Sequence, residues 1–501
     1  MRPMKLRILT ATCLWLVACG NPPVMTDDSG VEGTDASVMM PDASVEDAGA
    51  PNDAGTTPDA GESDAGVVDA GPIDAGPPPS VSSPALPCMD SSGMVIGAMG
   101  GTGPLGGRIA CHFERTVPVS EVNSSMPSGT APANSSEVDL YLLAYRTTRR
   151  GGVLGAATAR VYLPKTAKAG PLPVIAVGHG SVGVADNCAP TRETDGLFGM
   201  AMPWASRGYA VIAPDFAGLG NDGVQRYTDN HDTGQSMLDA VRALRAFVPA
   251  GAIDERGVLI GYSQGGGSVL AAQALERTYG SGGKLSAIVA VAPQYMTRIN
   301  SFGFVNMLRN PSALTVAQGY TKPVVAALRT YSFFENELGV GRGADAFPMM
   351  SAAGTVSALE SRCLIDLGAW LPINRQYVRD LMDDTLRTSF LSCVDGNGCS
   401  GPGQRLYDGL VTDLMPGDPG GAPVLYLQGQ LDTVMPVGEE AACNVPYLRG
   451  NGVPLTYCTD GVAAHNDIFR RNSELIRTWG EATMLGETPP TCSATMPPAC
   501  Q

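Results

Sequence analysis

Apolar, β-rich runs alternate with helical patterns along the chain from residue 138 onward, and this alternation is the strongest constraint on the fold. In the pattern 234–247, for example, apolar residues recur at helical spacing. Buried strands that alternate with helices are typical of a mostly parallel sheet covered by helices on both faces. The sequence therefore predicts an α/β fold. The predicted strands are 138–145, 157–163, 173–177, 209–213, 257–260, 287–292, 423–427 and 454–458, and the predicted helices are 234–247, 268–279 and 467–479.

Residues 297–420 interrupt this alternation, because the stretch lacks clear strands and is rich in methionine and aromatic side chains. We interpret it as a mostly helical insertion and call it the cap. Predicted strands lie both before and after it, so residues 87–501 are predicted to form one α/β domain that carries the inserted cap. A domain of this length can bury a large hydrophobic core.

Residues 20–86 have a composition that cannot form a core. They contain thirteen acidic side chains and no Lys, Arg, Phe, Trp or Tyr, and Asp-Ala-Gly recurs six times at intervals of five or six residues. Such a segment has almost no apolar surface to bury, so we expect a disordered tether. The spacing of its aspartates fits no calcium-binding loop, and its Ala and Gly side chains offer no further ligands.

The first 19 residues have the pattern of an export signal. A start with three Lys or Arg residues precedes a short apolar run that ends in Leu-Val-Ala-Cys. The run is shorter than the roughly 20 residues that cross a bilayer. Because its end resembles a bacterial lipobox, we expect lipidation at Cys19 and a membrane contact through that lipid anchor, with an ordinary signal peptide as the alternative. Gly20 follows rather than Asp, which favours the outer membrane or cell surface as the location.

The net charge of −16 comes mostly from the tether. Without the tether and the first 19 residues, the chain carries 30 basic and 36 acidic side chains, a net charge of −6. A nucleic-acid binder needs a basic face to neutralise phosphates, so we expect no nucleic-acid partner.

Ten of the twelve cysteines follow residue 86. An even number in an exported chain predicts disulfides rather than zinc ligands, and the sequence has no Cys-x-x-Cys. With four histidines in the whole chain, a metal site has few candidate ligands, so neither a metal nor an organic cofactor is predicted. Short loops favour the pairs Cys393–Cys399, Cys443–Cys458 and Cys492–Cys500, although the sequence leaves other pairings open.

One segment carries the clearest chemistry. Residues 258–267 read Val-Leu-Ile-Gly-Tyr-Ser-Gln-Gly-Gly-Gly, which contains the only Gly-x-Ser-x-Gly of the chain and lies between a predicted strand and a predicted helix. A sharp turn there would hold Ser263 in a strained conformation with its hydroxyl projecting, and only glycine fits two residues before and after it. The sequence therefore predicts Ser263 as a nucleophile, against the alternative of a plain glycine-rich turn.

A serine hydroxyl needs a base, and the expected order along such a chain is Ser, then Asp or Glu, then His. His465 is the only histidine after Ser263, and it lies between the last predicted strand and the last predicted helix. Asp432 follows the preceding strand and is the candidate acid, which would orient the imidazole and stay ionised. Asp460 and Asp467 are rivals, but residues at such positions more often cap turns.

The oxygen that becomes negative during attack needs N–H donors. The Gln264 amide, at the start of a helix, is the first candidate. The loop after the third predicted strand reads Gly-His-Gly-Ser-Val-Gly, and its Ser181 amide is the second candidate, with Gly180 next. We expect His179 to brace this loop rather than act as a base, and His231 to be structural or to line a pocket.

Four motifs together resemble the secretory lipases related to fungal lipase A. They are Gly-Tyr-Ser-Gln-Gly-Gly at 261–266, the His-Gly loop followed by Cys-Ala-Pro at 188–190, Ala-Pro-Asp-Phe-Ala-Gly-Leu-Gly at 213–220, and Ser-Met-Leu-Asp-Ala-Val-Arg-Ala at 236–243. The resemblance covers roughly 86–501 and extends to a helical cap inserted before the acid-bearing strand. It implies an α/β-hydrolase fold and the hydrolysis of carboxylic esters, including triacylglycerols.

The resemblance also implies a disulfide between Cys188 and Cys363 that ties the oxyanion loop to the cap, which leaves Cys88 and Cys111 as a pair. One position departs from the family, because the fungal enzymes have an Asp where this chain has Ser181. Substrate preference is therefore not carried over from the family.

These observations predict an exported serine ester hydrolase that acts on acyl esters through an acyl-enzyme. A serine peptidase on the same fold stays open, and a pocket carboxylate that binds a substrate amine would favour it. A catalytically idle surface-binding module also stays open, although the intact set of Ser, Asp and His speaks against it. Some cap side chains could wall an acyl site or form a lid, while most are expected to be cap core. They are Phe302, Phe304, Met307, Tyr320, Tyr331, Phe333, Phe334, Phe347, Met349, Met350 and Trp370.

Overall fold

The computed structural model describes residues 79–127, 130–193, 197–319, 321–492, 494 and 497–500. The expected export signal with Cys19 lies outside the described residues, and so do Tyr320 and the tether up to residue 78. The described end of the tether already belongs to the domain, since Val81 is buried and the Ala85 N–H donates to the Phe247 carbonyl at 2.8 Å. None of the described helices is long and apolar enough to cross a membrane.

The described residues form one nine-stranded sheet in which the predicted strands recur within a few residues of their predicted limits. The strands are β1 Arg108–Val117, β2 Val138–Arg149, β3 Val153–Pro164, β4 Leu172–Gly178, β5 Val211–Pro214, β6 Ile253–Tyr262, β7 Lys284–Val291, β8 Val424–Gly429 and β9 Leu455–Asp460. Their order across the sheet is β1-β2-β3-β5-β4-β6-β7-β8-β9. Pairing is antiparallel from β1 to β5 and parallel from β5 to β9.

The sequence does not predict β1. This strand lies at the edge of the sheet and carries charged side chains, so it lacks the apolar run that marks the other strands. Its Glu114 makes an ion pair of 2.7 Å with Arg160 of β3. Charged side chains are a common feature of edge strands, where they oppose pairing with another chain.

The helices are α1 Ser92–Ile96, α2 Val119–Ser124, α3 Phe198–Ala205, α4 Asn230–Phe247, α5 Gln264–Tyr279, α6 Phe304–Leu308, α7 Thr321–Leu338, α8 Met349–Leu359, α9 Leu364–Asn374, α10 Asp384–Val394, α11 Pro402–Thr412, α12 Ala441–Gly450, α13 Ile468–Arg471 and α14 Ser473–Leu485. The last predicted helix is split into α13 and α14, because the backbone at Asn472 leaves the helical conformation.

Helices cover both faces of the sheet. A Cβ on Gly257 of β6 would lie 3.9 Å from Val241 of α4, whereas Val258, the next residue, lies 3.6 Å from the position of a Cβ on Gly480 of α14. Successive side chains of a strand point to opposite faces, so α4 and α14 lie on opposite sides. The predicted α/β fold with a mostly parallel sheet is confirmed.

The cap occupies the connection from β7 to β8, and its described residues form α6 to α11. Its buried side chains make a second hydrophobic core, distinct from the core on the sheet. Phe302, Phe304, Met307, Tyr331, Phe334 and Phe347 are buried in it, whereas Met349 and Met350 are 88% and 95% exposed. Most of the aromatic side chains considered above are therefore cap core.

Five disulfides join the described cysteines, and two of the predicted pairs are wrong. Cys393–Cys399, Cys188–Cys363 and Cys88–Cys111 are present as expected. The expected pairs Cys443–Cys458 and Cys492–Cys500 are instead Cys443–Cys500 and Cys458–Cys492. The chain after α14 returns along β9, where Cys492 Sγ lies 3.9 Å from the Tyr457 carbonyl, and then reaches α12. For the four cysteines around β9, those that are near in sequence are therefore not the nearest in space.

Candidate active site

Ser263 lies in the sharp turn between β6 and α5. Its φ of 54° and ψ of −114° are outside the regions that a non-glycine residue ordinarily adopts. Its N–H donates to the Val291 carbonyl at 2.9 Å, and its carbonyl accepts from the Gln294 N–H at 2.9 Å. These bonds to the end of β7 and to the segment after it hold a conformation that costs about 1–3 kcal/mol.

Two glycines make this turn possible. A Cβ on Gly261 would lie 2.0 Å from the Gly265 carbonyl oxygen, and a Cβ on Gly265 would lie 2.1 Å from the Gly178 carbonyl oxygen. Both distances are far below van der Waals contact, so any other residue would push α5 away from β4 and β6. The predicted need for glycine two residues before and after Ser263 therefore has a steric basis.

His465 and Asp432 lie beside Ser263 although they are far from it in sequence. His465 Nε2 lies 3.0 Å from Ser263 Oγ, and His465 Nδ1 lies 2.8 Å from Asp432 Oδ2. The loop after β9 carries the histidine, and the loop after β8 carries the aspartate. The structure thus brings the three predicted residues into one chain of hydrogen bonds, and all three side chains are buried.

Asp432 is held by four donors. Its Oδ1 accepts from the Val434 and Met435 N–H groups at 2.9 and 2.7 Å, and its Oδ2 accepts from Gln428 Nε2 at 3.0 Å as well as from the imidazole. These bonds satisfy a buried carboxylate and fix the oxygen that faces His465.

The two rival aspartates have other partners. Asp460 makes an ion pair of 3.0 Å with Arg471, and Asp467 Oδ1 accepts from the Ala464 N–H at 2.8 Å. Both also serve the turns around His465, as the sequence suggested.

Tyr262 supports the histidine from the other side. Its Oη donates to the His465 carbonyl at 2.9 Å, and the two rings lie with their centroids 5.0 Å apart. Burial raises the pKa of the Tyr262 phenol, with the charges of Asp432 and Asp467 adding to the rise, so the hydroxyl remains a donor. The sequence pattern around Ser263 included Tyr262 but gave no signal of this role.

A cavity of about 300 Å³ opens above Ser263 and His465. From the sheet side it is lined by Gly180, Ser181, Tyr262, Gln294, Val434, Met435 and Asn466, and from the cap by Thr321, Val325, Leu364 and Ile365. None of the described aromatic and methionine side chains considered for an acyl site is among them. The cap does contribute to the cavity, but through different residues.

The predicted oxyanion donors lie around this cavity. Gly180 and Ser181 line it directly, and Gln264 begins α5 immediately after Ser263. None of the described residues accepts a hydrogen bond from the backbone N–H of Gly180, Ser181 or Gln264. All three groups are therefore available to a substrate oxygen, with the dipole of α5 directed toward it.

His179 braces the loop after β4 that contains Gly180 and Ser181, as expected. Its Nδ1 lies 2.6 Å from the Gly180 carbonyl, and its Nε2 lies 3.1 Å from the Asp215 carbonyl. Burial lowers the pKa of this imidazole, against the two carbonyl contacts, which raise it. Both nitrogens are engaged with backbone, so His179 has no free position for a base.

His231 lies at the start of α4, away from Ser263. Its Nδ1 is 3.1 Å from Asp413 Oδ1, and together with Asp229 these groups have the spacing of metal ligands. However, Arg150 Nη1 donates to Asp229 at 2.7 Å and to Asp413 at 3.2 Å. A guanidinium already occupies the position between the carboxylates, so we interpret this cluster as an ion-pair network that joins α4 to the cap.

Comparisons with known proteins agree with this architecture. Residues 193–299 match the model of the secretory lipase family. The matched span contains Ser263 and Gln264 and ends before Asp432 and His465. A search among curated protein sequences finds no match to this chain.

Two solved structures share the fold. Lipase A from Candida antarctica in its closed state superposes with a TM-score of 0.57 at 16% identity, over 84% of this chain and 89% of that chain. The rice cell wall degrading esterase LipA from Xanthomonas oryzae gives a TM-score of 0.55 at 18% identity, over 76% of this chain and 97% of that chain. At these identities the likeness establishes the α/β fold with its central sheet.

Sequence reasoning missed Gln428 and Tyr227. Gln428 is fully buried at the end of β8 and donates to both Asp432 Oδ2 and the Met435 carbonyl, the latter at 2.9 Å. Its position as a polar residue at the end of an apolar strand could have indicated a role near the site. Tyr227 Oη lies 2.6 Å from Ser181 Oγ, a contact between distant loops for which the sequence holds no signal.

Proposed function

We propose that this protein is an exported serine carboxylic-ester hydrolase, similar to lipases, that cleaves acyl esters through an acyl-enzyme. The observation that carries the proposal is the chain of hydrogen bonds from Asp432 through His465 to Ser263, with Ser263 on a strained turn facing a cavity. The match of residues 193–299 to the secretory lipase family supports the same reaction class.

In the proposed mechanism, Ser263 Oγ attacks the ester carbonyl carbon while His465 Nε2 takes the hydroxyl proton. Asp432 remains ionised and stabilises the imidazolium through Nδ1. The carbonyl oxygen becomes negative and accepts hydrogen bonds from the Gln264 and Ser181 amides. His465 then gives its proton to the leaving alcohol, which leaves an acyl group on Ser263.

A water molecule completes the reaction. His465 takes a proton from the water, whose oxygen attacks the acyl carbon, and the second oxyanion is held by the same amides. Its collapse returns the proton from His465 to Ser263 and releases the carboxylic acid. The residues are thereby restored to their starting states.

The cavity favours an ester over a peptide with a free amino terminus. None of the described residues that line it is an Asp or Glu, and a buried amine would need such a partner. Its volume of about 300 Å³ is at the small end of the range for ligand sites, and the exposed Ile365 lies at its edge. We therefore expect short and medium acyl chains to be better substrates than long ones.

The test is the hydrolysis of 4-nitrophenyl esters from acetate to palmitate by purified residues 79–501, with Ser263→Ala as the control. We expect turnover that disappears in the variant, together with labelling of Ser263 by a fluorophosphonate. The absence of Ser263-dependent turnover on every ester would overturn the proposal and direct attention to peptide substrates. Failure of Ser263 to take the label as well would favour an idle binding module.

We also propose that the protein reaches the cell surface on a lipid anchor at Cys19. The five disulfides of the described domain support an oxidising destination. Radiolabelled palmitate should be incorporated into the full chain expressed in a bacterium and lost in Cys19→Ala. Equal incorporation by both forms would contradict the anchor.

A further inference from the structure

Ser181 presents a hydroxyl as well as an amide to the cavity above Ser263. It lines that cavity and is half-buried, and its Oγ lies 2.6 Å from Tyr227 Oη. The proposed mechanism uses only its N–H, so the hydroxyl and its contact with Tyr227 have no assigned role.

The direction of this hydrogen bond follows from the surroundings of Tyr227. The residue is only 2% exposed, and none of the other described residues accepts a hydrogen bond from its Oη. A phenol is a stronger acid than an alcohol and therefore the better donor of the two. Burial raises the pKa of the Tyr227 phenol, while the Ser181 contact and the charge of Arg329 act against the rise. The phenol therefore keeps its proton and donates a hydrogen bond to Ser181 Oγ.

Once Ser181 Oγ accepts this bond, its own proton needs another acceptor. A hydroxyl carries one donor and can accept at the same time. Because Tyr227 occupies an accepting position of Oγ, the Ser181 proton is free to point into the cavity that Ser263 faces. An oxygen bound there between Gly180 and Ser263 would be its acceptor.

We propose that the Ser181 hydroxyl, oriented by Tyr227, donates a third hydrogen bond to the oxyanion beside the Ser181 and Gln264 amides. This inference rests on the proposed ester hydrolysis. During attack, Ser263 Oγ bonds to the carbonyl carbon, the Ser263 proton moves to His465 Nε2, and the carbonyl π electrons move onto oxygen. Ser181 keeps its proton and shares it with that oxygen. Such a donor raises kcat with little effect on substrate binding.

The cap holds both members of this pair in place. The Tyr227 N–H donates to Ser332 Oγ of α7 at 2.8 Å, and Ser332 lies among the buried cap residues. On the other side, the Leu364 N–H of α9 donates to the Val182 carbonyl at 2.7 Å, and a disulfide joins the same loop to the cap. The position of the Ser181 hydroxyl is therefore set from two cap helices.

The experiment compares five variants on one 4-nitrophenyl ester and with a trifluoromethyl ketone, which forms an oxyanion adduct on Ser263. We expect Ser181→Ala to lower kcat about 100-fold and to change KM less than about threefold. The inhibition constant of the ketone should rise by the same factor by which kcat falls. Tyr227→Phe, which removes only the orienting donor, should lower kcat about tenfold. Ser181→Thr keeps the hydroxyl and should retain most of the activity.

The matched control is Tyr331→Phe. Tyr331 is a buried tyrosine of the cap whose hydroxyl contacts Glu360 at 2.6 Å, and neither residue lines the cavity. It should leave kcat within about twofold. The double variant Ser181→Ala with Tyr227→Phe should be no slower than Ser181→Ala alone, because Tyr227 acts only through the Ser181 hydroxyl.

Either of two results would overturn the inference. One is a kcat for Ser181→Ala within about threefold of the parent. The other is that Tyr227→Phe lowers kcat by the same factor in the Ser181→Ala background as in the parent. If Ser181→Ala does not fold, Tyr227→Phe decides alone, since an unchanged kcat contradicts the proposed role. A parent enzyme without Ser263-dependent turnover would instead contradict the proposed function itself, which keeps the two failures distinct.

Discussion

Two histidine–aspartate pairs in this molecule have similar geometry and different surroundings. His465 Nδ1 lies 2.8 Å from Asp432, and His231 Nδ1 lies 3.1 Å from Asp413. The other nitrogen of His465 faces Ser263 Oγ at 3.0 Å, whereas none of the described residues makes a hydrogen bond to Nε2 of His231. The first pair lies in loops at the edge of the sheet, and the second joins α4 to the segment that follows α11.

The carboxylates of the two pairs differ in charge balance. Apart from the imidazole, Asp432 accepts only from neutral N–H groups, including that of Gln428. Asp413 accepts from the Arg150 guanidinium at 3.2 Å. A carboxylate paired with a permanent cation has little further interaction to offer an imidazolium. Of the two pairs, only His465–Asp432 combines a carboxylate free of other cations with an imidazole that reaches a hydroxyl.

The largest expected effect separates the two histidines. Because only His465 can take the Ser263 proton, His465→Ala should lower kcat/KM by about 10⁴-fold or more. His231→Ala, the matched control, should leave kcat/KM within about threefold. Both are measured with the same 4-nitrophenyl ester. A comparable loss in His231→Ala, with the fold intact by circular dichroism, would show that the distinction between the pairs is wrong.

The second effect concerns the pH dependence of stability at Asp413. Burial, together with the nearby Asp229 carboxylate, raises the pKa of Asp413 to about 7 from its ordinary 3.8, against the opposing contributions of His231 and Arg150. Between these pH values the folded state binds a proton that the unfolded state has released, so the free energy of unfolding falls as pH rises. Asp413→Asn lacks this titration and should gain up to about 4 kcal/mol relative to the parent from pH 4 to 7.

The measurement is urea unfolding of parent and variant at several pH values. Asp384→Asn is the control for the change from aspartate to asparagine, since its carboxylate is 76% exposed. A flat difference between Asp413→Asn and the parent across this range would mean that the ion-pair network keeps Asp413 ionised. In that case the contributions of Arg150 and His231 to the pKa of Asp413 outweigh those of burial and Asp229.

The smallest expected effect comes from removing Gln428, the neutral side chain that donates to Asp432 where Arg150 donates to Asp413. Gln428→Leu removes the bond to Asp432 Oδ2 and leaves the Met435 carbonyl without its donor. We expect kcat to fall about tenfold and the free energy of unfolding to fall by about 1–2 kcal/mol. Stopped-flow or steady-state ester hydrolysis and urea unfolding give the two values.

Gln273→Leu is the matched control for this variant. Gln273 is equally buried, and its amide is bonded to both the N–H and the carbonyl of Asp418, at 3.0 and 2.7 Å, remote from Ser263. It should lose similar stability and keep its kcat. If both variants lower kcat equally, Gln428 acts through general stability and not through Asp432.

Much of the fold was accessible from local sequence pattern. Buried parallel strands are continuous apolar runs, so β4, β6, β7 and β8 were predicted nearly in place. β1 was missed because an edge strand with charged side chains resembles a loop in its pattern. The cysteine pairs around β9 were predicted wrongly because the chain after α14 folds back on the sheet, and no local pattern records that return.

The sequence by itself determined the candidates for chemistry. Ser263 is recognisable because its turn requires glycines at fixed spacing, and His465 because it is the only histidine that follows. Only the tertiary structure decided which groups form hydrogen bonds with the candidate site residues: Gln428 with Asp432, Tyr262 with His465 and Tyr227 with Ser181. The physical reason is the distance in sequence between the residues that interact. The glycines that mark the Ser263 turn lie within two residues of it in the chain, whereas hydrogen bonds between loops depend on how the cap and the sheet bring distant residues together.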